Sequence, residues 1–262
     1  MRTATRREGF PADQRKMHAR APTGKMLRRA HSNFTCAPDF RHGCALDAPA
    51  LAGATRGARL CRGGSAASIF RPMIPADLLL HAYRSGAFPM AVPSGELAWF
   101  SPDPRAIVPL DGRFHIPHGL QRTLKKNLFE VRINTAFEDV MRGCAEREDT
   151  WISGEIFASY VNLHRLGHAH SVEAWREGRL AGGLYGVAIG GAFFGESMFH
   201  RETDASKVAL VGLVTRLRER GFTLLDTQWS TPHLRTFGTM EIPRAKYVRL
   251  LKSADALECR FV

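Results

Sequence analysis

Between residues 170 and 199 the sequence reads as three successive strands broken by two glycine turns. That pattern confines the chain to few folds. Segments 170–175 and 179–188 flank Glu177-Gly178, and segment 192–199 follows Gly190-Gly191. Short apolar runs joined by such turns are the signature of hairpins, so this stretch is expected to form an antiparallel meander. A helix should follow, capped by Asp204 or Ser206, with Leu210, Leu213, Val214 and Leu217 as its apolar stripe and Gly221 as its end. A further strand spans 222–228. Strands grouped before a helix indicate an α+β sheet domain.

The upstream elements can be read in the same way. Pro75-Ala76-Asp77 opens a helix through Tyr83 that stops at Gly86. Strands are expected at 97–100 and 106–110, joined through Ser101-Pro102-Asp103-Pro104, and an extended segment at 129–133. Helices are expected at 117–126, at 135–145 around Phe137, Val140 and Met141, and at 153–166, the last closed by Gly167 in a left-handed conformation. A short helix surrounds His233-Leu234, and a final one has Pro243 in its first turn. There is no internal repeat.

Charge separates two parts of the chain. The formal net charge is +12, but residues 1–70 hold 13 Lys/Arg against 4 Asp/Glu, so residues 71–262 carry only +3. The leading segment, 1–72, is rich in Arg, Ala, Gly and Pro without apolar periodicity, and reads as a disordered basic extension, although a transit peptide shares that composition. It holds Cys36, Cys44 and Cys61; the other two cysteines, Cys144 and Cys259, suggest no disulfide framework. A reducing, cytoplasmic setting is therefore expected. No apolar run approaches the roughly 20 residues of a membrane span, so no membrane partner is expected.

Polar groups stand out against the apolar strands. Glu196 lies within Phe193-Phe194-Gly195-Glu196-Ser197-Met198-Phe199, where an unpaired carboxylate is costly to bury. Asp226 and Gln228 lie two apart on the next strand and should share a face. On the residues alone, this pair either acts chemically or ties down a neighbouring loop. His164, His168 and His170 are spaced like metal ligands, but Gly167 interrupts their helix, and structural histidines with no metal are the expectation. No phosphate-cradling motif occurs, so no cofactor is expected.

Several blocks then point the same way. Tyr83-Arg84-Ser85-Gly86-Ala87-Phe88-Pro89, Trp99-Phe100-Ser101-Pro102-Asp103-Pro104-Arg105, Thr150-Trp151-Ile152 and Gly167-His168-Ala169-His170-Ser171-Val172-Glu173 resemble leucyl/phenylalanyl-tRNA–protein transferases. Gly195-Glu196-Ser197-Met198-Phe199, Leu225-Asp226-Thr227-Gln228 and Glu241-Ile242-Pro243-Arg244 do so as well, in the same order. The resemblance covers residues 73–255. It implies a small N-terminal α/β domain, 73–112, and an acetyltransferase-like (GNAT-like) domain, 113–262, with a mixed or antiparallel sheet and flanking helices.

It also implies an activity: transfer of Leu, Phe or Met from aminoacyl-tRNA to proteins with N-terminal Arg or Lys, forming a peptide bond and an N-terminal degradation signal. By resemblance, Gln228 contacts the attacking amine, assisted by Asp226. Leu184, Phe193, Met198, Leu210, Leu213 and Leu225 line the amino-acid pocket, though as a plain apolar stripe they would equally form core. Trp151 stacks on the terminal adenine, Glu196 lies near the amino group, and Trp99 and Phe100 complete the binding surface. Phe193 and Met198 are an odd number apart, so sharing one pocket requires a bulge near Gly195. Arg122, Lys125 and Lys126 form a basic patch suited either to tRNA phosphates or to solvent.

Two other functions fit a chain of this class. An acetyl-coenzyme A-dependent N-acyltransferase would need a Q/R-x-x-G-x-G/A loop; Arg179-Leu180-Ala181-Gly182-Gly183-Leu184 fails at its last position and lies in a strand. A non-catalytic RNA-binding module would not need Asp226 and Gln228 aimed together over an apolar slot.

Overall fold

A computed structural model describes residues 73–262; the expectation of a disordered extension over 1–72 lies outside the described residues. The first elements are α1 (Ala76–Arg84), β1 (Phe88–Ala91), β2 (Leu97–Phe100), β3 (Arg105–Val108), α2 (His118–Lys125), β4 (Glu130–Ile133), α3 (Phe137–Ala145) and α4 (Gly154–Arg165). The meander follows as β5 (Ala169–Arg176), β6 (Arg179–Ile189) and β7 (Ala192–His200). The chain then runs through α5 (Ala205–Glu219), β8 (Leu224–Gln228), α6 (Pro232–Arg235), β9 (Met240–Ile242) and α7 (Arg244–Asp255).

The architecture is α+β. Strands β1 and β2 form a small antiparallel ribbon, and the other seven form one sheet in the order β4-β5-β6-β7-β8-β3-β9. Every neighbouring pair is antiparallel except β7 and β8, which run parallel. Helix α5 is the crossover that this pair requires. The sheet therefore changes character at one seam.

Each face of the sheet carries its own core. On one side, Val208, Leu210, Leu213 and Leu217 of α5 and Leu120 of α2 pack on Val172, Leu184, Phe193 and Leu225. On the other, α1, α3, α4 and α7 contribute Tyr83, Met141, Tyr160 and Tyr247 to a core built around Tyr185 and Phe194. In α1 the buried residues Leu79, Ala82 and Tyr83 fall at helical spacing, and Gly86 ends the turn at φ +78°. A Cβ on Gly86 would lie 3.0 Å from the Tyr247 ring, so glycine there serves both backbone and packing.

Several local expectations need correction. Asp204 begins α5 in a left-handed conformation without a side-chain cap; its carboxylate instead accepts from Lys207 and from Thr123 of α2, which secures α2 to α5. Pro243 is the N-cap of α7 rather than a first-turn residue. Strands β1 and β9 were not anticipated, because Pro89 and the three-residue length of β9 hide any alternation. Strand β3, within the expected N-terminal domain, lies inside the large sheet between β8 and β9.

Burying Glu173 fixes α3. Its carboxylate accepts from Ser171 Oγ at 2.5 Å, Thr135 Oγ1 at 2.7 Å, and the backbone N–H groups of Thr135 and Ala136 at 3.3 and 3.4 Å. The last two are donors at the start of α3, so a strand side chain does the work of a cap. Glu173→Ala should strand these donors at a cost of roughly 2–3 kcal/mol. Thermal unfolding should register a Tm lower by roughly 4–12 °C. An unchanged Tm would show that Glu173 does not secure α3.

Candidate active site

The β7–β8 ladder runs only from Ala192 opposite Leu224 to Phe194 opposite Asp226. Both strands bulge just beyond it. On β7, Tyr185 faces Ser197 and Gly186 faces Gly195, so Glu196 has no cross-strand partner. On β8, Ala106 faces Gln228 and Ile107 faces Asp226, so Thr227 is the extra residue. A Cβ on Gly186 would sit 2.2 Å from the Phe194 carbonyl oxygen, so β6 can approach the bulged strand only through a glycine. The bulge expected near Gly195 thus falls at Glu196. It returns Met198 to the Leu184 and Phe193 side, while Ser197 turns towards Tyr185.

Asp226 is fully buried. Arg105 donates to it from Nε at 2.9 Å and Nη2 at 2.6 Å, Tyr247 donates its hydroxyl at 2.8 Å, and the Gln228 backbone N–H donates at 2.9 Å. Arg105 is equally enclosed: it donates to the Gly86 carbonyl at 3.0 Å and lies over the rings of Phe88 and Tyr247. A buried ion pair of this kind needs such further bonds to offset its desolvation. The Arg105–Asp226 pair therefore ties β3, β8, α7 and the turn after α1 together at one point.

Gln228 is the last residue of β8 and turns out of it. Its φ is +59°, a left-handed conformation uncommon for a residue other than glycine, and the Asp226 carboxylate pins its N–H in that shape. Its orientation thus comes from this backbone turn and not from strand alternation. The turned side chain donates from Nε2 to Glu196 Oε1 at 3.0 Å.

Glu196 is mostly enclosed, and its second oxygen accepts from the Tyr160 hydroxyl at 3.3 Å. Tyr160 and Tyr83 are hydrogen-bonded to each other through their hydroxyls. Burial pushes the Glu196 carboxyl up to about 8, assisted by the negative charge of Asp226 and opposed by the two tyrosine hydroxyls and Arg105. A carboxyl in that range changes protonation near neutral pH, as a group that handles protons must.

The other expected site residues form two groups. Leu184, Phe193, Leu210, Leu213 and Leu225 are buried in one cluster, with the partly exposed Met198 at its edge. Trp99, Phe100 and Trp151 pack into the opposite core, together with Tyr160. Tyr160 of the second group bonds Glu196 at the bulged end of the β7–β8 ladder, and Met198 of the first lies two residues further along the same strand. Arg122, Lys125 and Lys126 are exposed on or just beyond α2. His164 stacks on Phe137 and bonds the Ala169 carbonyl, and His170 is buried against Asn134. Segment 179–184 lies within β6.

Tyr83, Tyr160, Arg105, Tyr247 and Trp229 gained no role from their spacing. Trp229 packs edge-on against Phe88 and Phe100 beside Gln228. An arginine leading the apolar run Ala106-Ile107-Val108 was the available signal for a buried ion pair.

Residues 107–252 match the family described as leucyl/phenylalanyl-tRNA protein transferase, and residues 73–103 match its N-terminal domain. The chain belongs to this family. A leucyl/phenylalanyl-tRNA–protein transferase of Akkermansia muciniphila is 59% identical over 182 residues, covering 68% of this chain and 94% of the relative. Proteins of the same name from Herpetosiphon aurantiacus and Rubrobacter xylanophilus are each 56% identical, covering 70% and 71% of this chain and 94% and 97% of theirs. The family matches thus take in the bulged seam with Glu196, Asp226 and Gln228, while Arg105 falls between the two matched ranges.

Proposed function

We propose that this protein is an aminoacyltransferase that moves Leu, Phe or Met from aminoacyl-tRNA to the N-terminal Arg or Lys of acceptor proteins. The product carries a new peptide bond and an N-terminal degradation signal. The observation that carries this reading is the Glu196–Gln228 pair, held at a break in the sheet between an apolar cluster and an aromatic one, in a chain of this family.

The chemistry needs no co-reactant. The donor is an activated ester: the acceptor nitrogen forms the new C–N bond, the C–O bond to the terminal ribose breaks, and the proton lost by nitrogen ends on the ribose oxygen. An α-ammonium has a reference pKa of about 7.7–8.0. The neutral amine attacks, its nitrogen becomes cationic in the adduct, and the ionised Glu196 carboxyl, at about 8 in the fold, takes that one proton and returns it to the leaving oxygen. Gln228 orients the attacking amine through its amide oxygen, and Asp226 positions Gln228. In the tetrahedral adduct the attacking nitrogen and the donor's α-amino nitrogen sit on adjacent carbons. One carboxyl can therefore serve both.

In this reading Leu184, Phe193, Met198, Leu210, Leu213 and Leu225 receive the donor side chain, Trp151 stacks on its adenine, and Trp99 and Phe100 flank it. Arg122, Lys125 and Lys126 meet tRNA phosphates. The parallel seam with its paired bulges supports a GNAT-like core, and the pairing of β3 with β8 and β9 supports counting β3 with that core. A cytoplasmic setting is part of the proposal; among the described residues no helix is long and apolar enough to cross a membrane. The test is to offer leucyl-tRNA or acetyl-coenzyme A with a peptide beginning in Arg. A leucyl mass increment from the first donor alone is expected. Acetylation, or RNA binding without transfer, would overturn the reading.

A further inference from the structure

Tyr185 lies on β6 with none of its surface exposed. Its hydroxyl has no hydrogen-bond partner among the described residues. An unpaired buried hydroxyl costs about 1–3 kcal/mol, so it requires a reason. Its surroundings supply one. The ring packs edge-on against Tyr160 at 5.7 Å and Phe137 at 6.0 Å, and Tyr185 faces Ser197 across the strands at the bulge. Ser197 Oγ accepts from Arg147 at 2.6 Å, while the Tyr160 hydroxyl is committed to Tyr83 and Glu196. The nearby charge that acts most on the Tyr185 hydroxyl is that of Glu196, and burial holds its proton on at any working pH. A neutral phenol oxygen with free lone pairs thus belongs to a ring packed on Tyr160, which bonds Glu196, and to a residue facing Ser197, the neighbour of Glu196.

We propose that the Tyr185 hydroxyl is a contact group for the α-amino group of the aminoacyl donor, a role that rests on the aminoacyl-transfer reading above. A primary ammonium presents three N–H donors. The two Glu196 oxygens already accept from Gln228 and Tyr160, which limits what they can offer. Tyr185 supplies the additional acceptor from the opposite strand. It thereby selects donors that carry a free α-amine over simple acyl esters. The hydroxyl stays unpaired until the donor arrives, because fixing it to a protein partner would remove the contact.

Tyr185→Phe deletes that oxygen and nothing else. The probes are two non-hydrolysable adenosine 3′-amides, one carrying leucine and one the matching 4-methylpentanoyl group without the amine. Calorimetry on the wild type should show tighter binding of the leucyl compound. In Tyr185→Phe that preference should shrink by about 10-fold, the scale of one hydrogen bond to a charged group. The Tm should stay equal or rise, since an unsatisfied hydroxyl has been removed. A preference that Tyr185→Phe leaves intact, or a Tm that falls because the hydroxyl was already paired, would overturn the assignment. Equal binding of both compounds by the wild type would also overturn it, and binding of neither would count against the transfer reading itself.

Discussion

Asp226→Asn should destabilise the fold by about 3–5 kcal/mol, the usual cost of leaving one partner of a buried ion pair alone. Asparagine has nearly the same shape, so no cavity contributes. The cost comes from Arg105, which is 1% exposed and would keep its charge with no carboxylate beside it, and from an amide NH2 set among the donors of Arg105, Tyr247 and Gln228. For a folded part of this size that corresponds to a Tm lower by roughly 6–20 °C. Replacing both partners with apolar residues, Arg105→Met with Asp226→Leu, should recover much of the loss, because the stranded charge is then gone. A Tm within about 2 °C of wild type for Asp226→Asn would show that the pair does not hold the site together.

Gln228→Ala should lower kcat by about 10²-fold or more, the scale of a positioned polar group in proton-transfer chemistry. The side chain makes one bond, to Glu196, so its loss removes orientation without opening the core. The backbone at Gln228 offers an internal control. At φ +59°, glycine is more comfortable than alanine, so Gln228→Gly should be more stable than Gln228→Ala by about 1 kcal/mol. Both should be equally slow. If the glycine variant regained activity, the turn and not the amide would be the functional element.

Most of the fold could be read because its signals are local. The Glu177-Gly178 turn has both residues at positive φ, and Gly167 and Gly221 end their helices in the left-handed conformation, as their positions in the sequence suggest. The parallel seam could not be read, because pairing β8 with β7 rather than with β5, the other edge of the meander, depends on which way α5 crosses the sheet. The site was legible in its parts only. Glu196, Asp226 and Gln228 stand out as polar residues in apolar strands. That Asp226 is consumed by Arg105 and Tyr247 follows from contacts 121 and 21 residues apart in sequence, which no periodicity records. The bulge at Glu196 was required by the odd spacing of Phe193 and Met198, yet its exact residue was set by Gly186 on the neighbouring strand.

Glu196 also links the site to pH. Its folded value of about 8 lies above the ordinary 4.5, so the folded state holds a proton that the unfolded chain gives up. The stability from this group is therefore complete below about 4.5 and is lost as pH rises through about 8. Activity should run in the opposite direction, because only the ionised carboxyl can take a proton from the amine. Single-turnover transfer from leucyl-tRNA to an Arg-initiated peptide, at saturating acceptor across this range, measures that step directly. The wild-type rate should climb through pH about 8. Glu196→Gln, which keeps the shape but exchanges one accepting oxygen for a donor and cannot take up the proton, should be about 10²-fold slower at every pH, with only the rise that the acceptor amine's own ionisation gives. A Glu196→Gln enzyme with the wild-type rate and pH profile would contradict the assignment of proton transfer to Glu196.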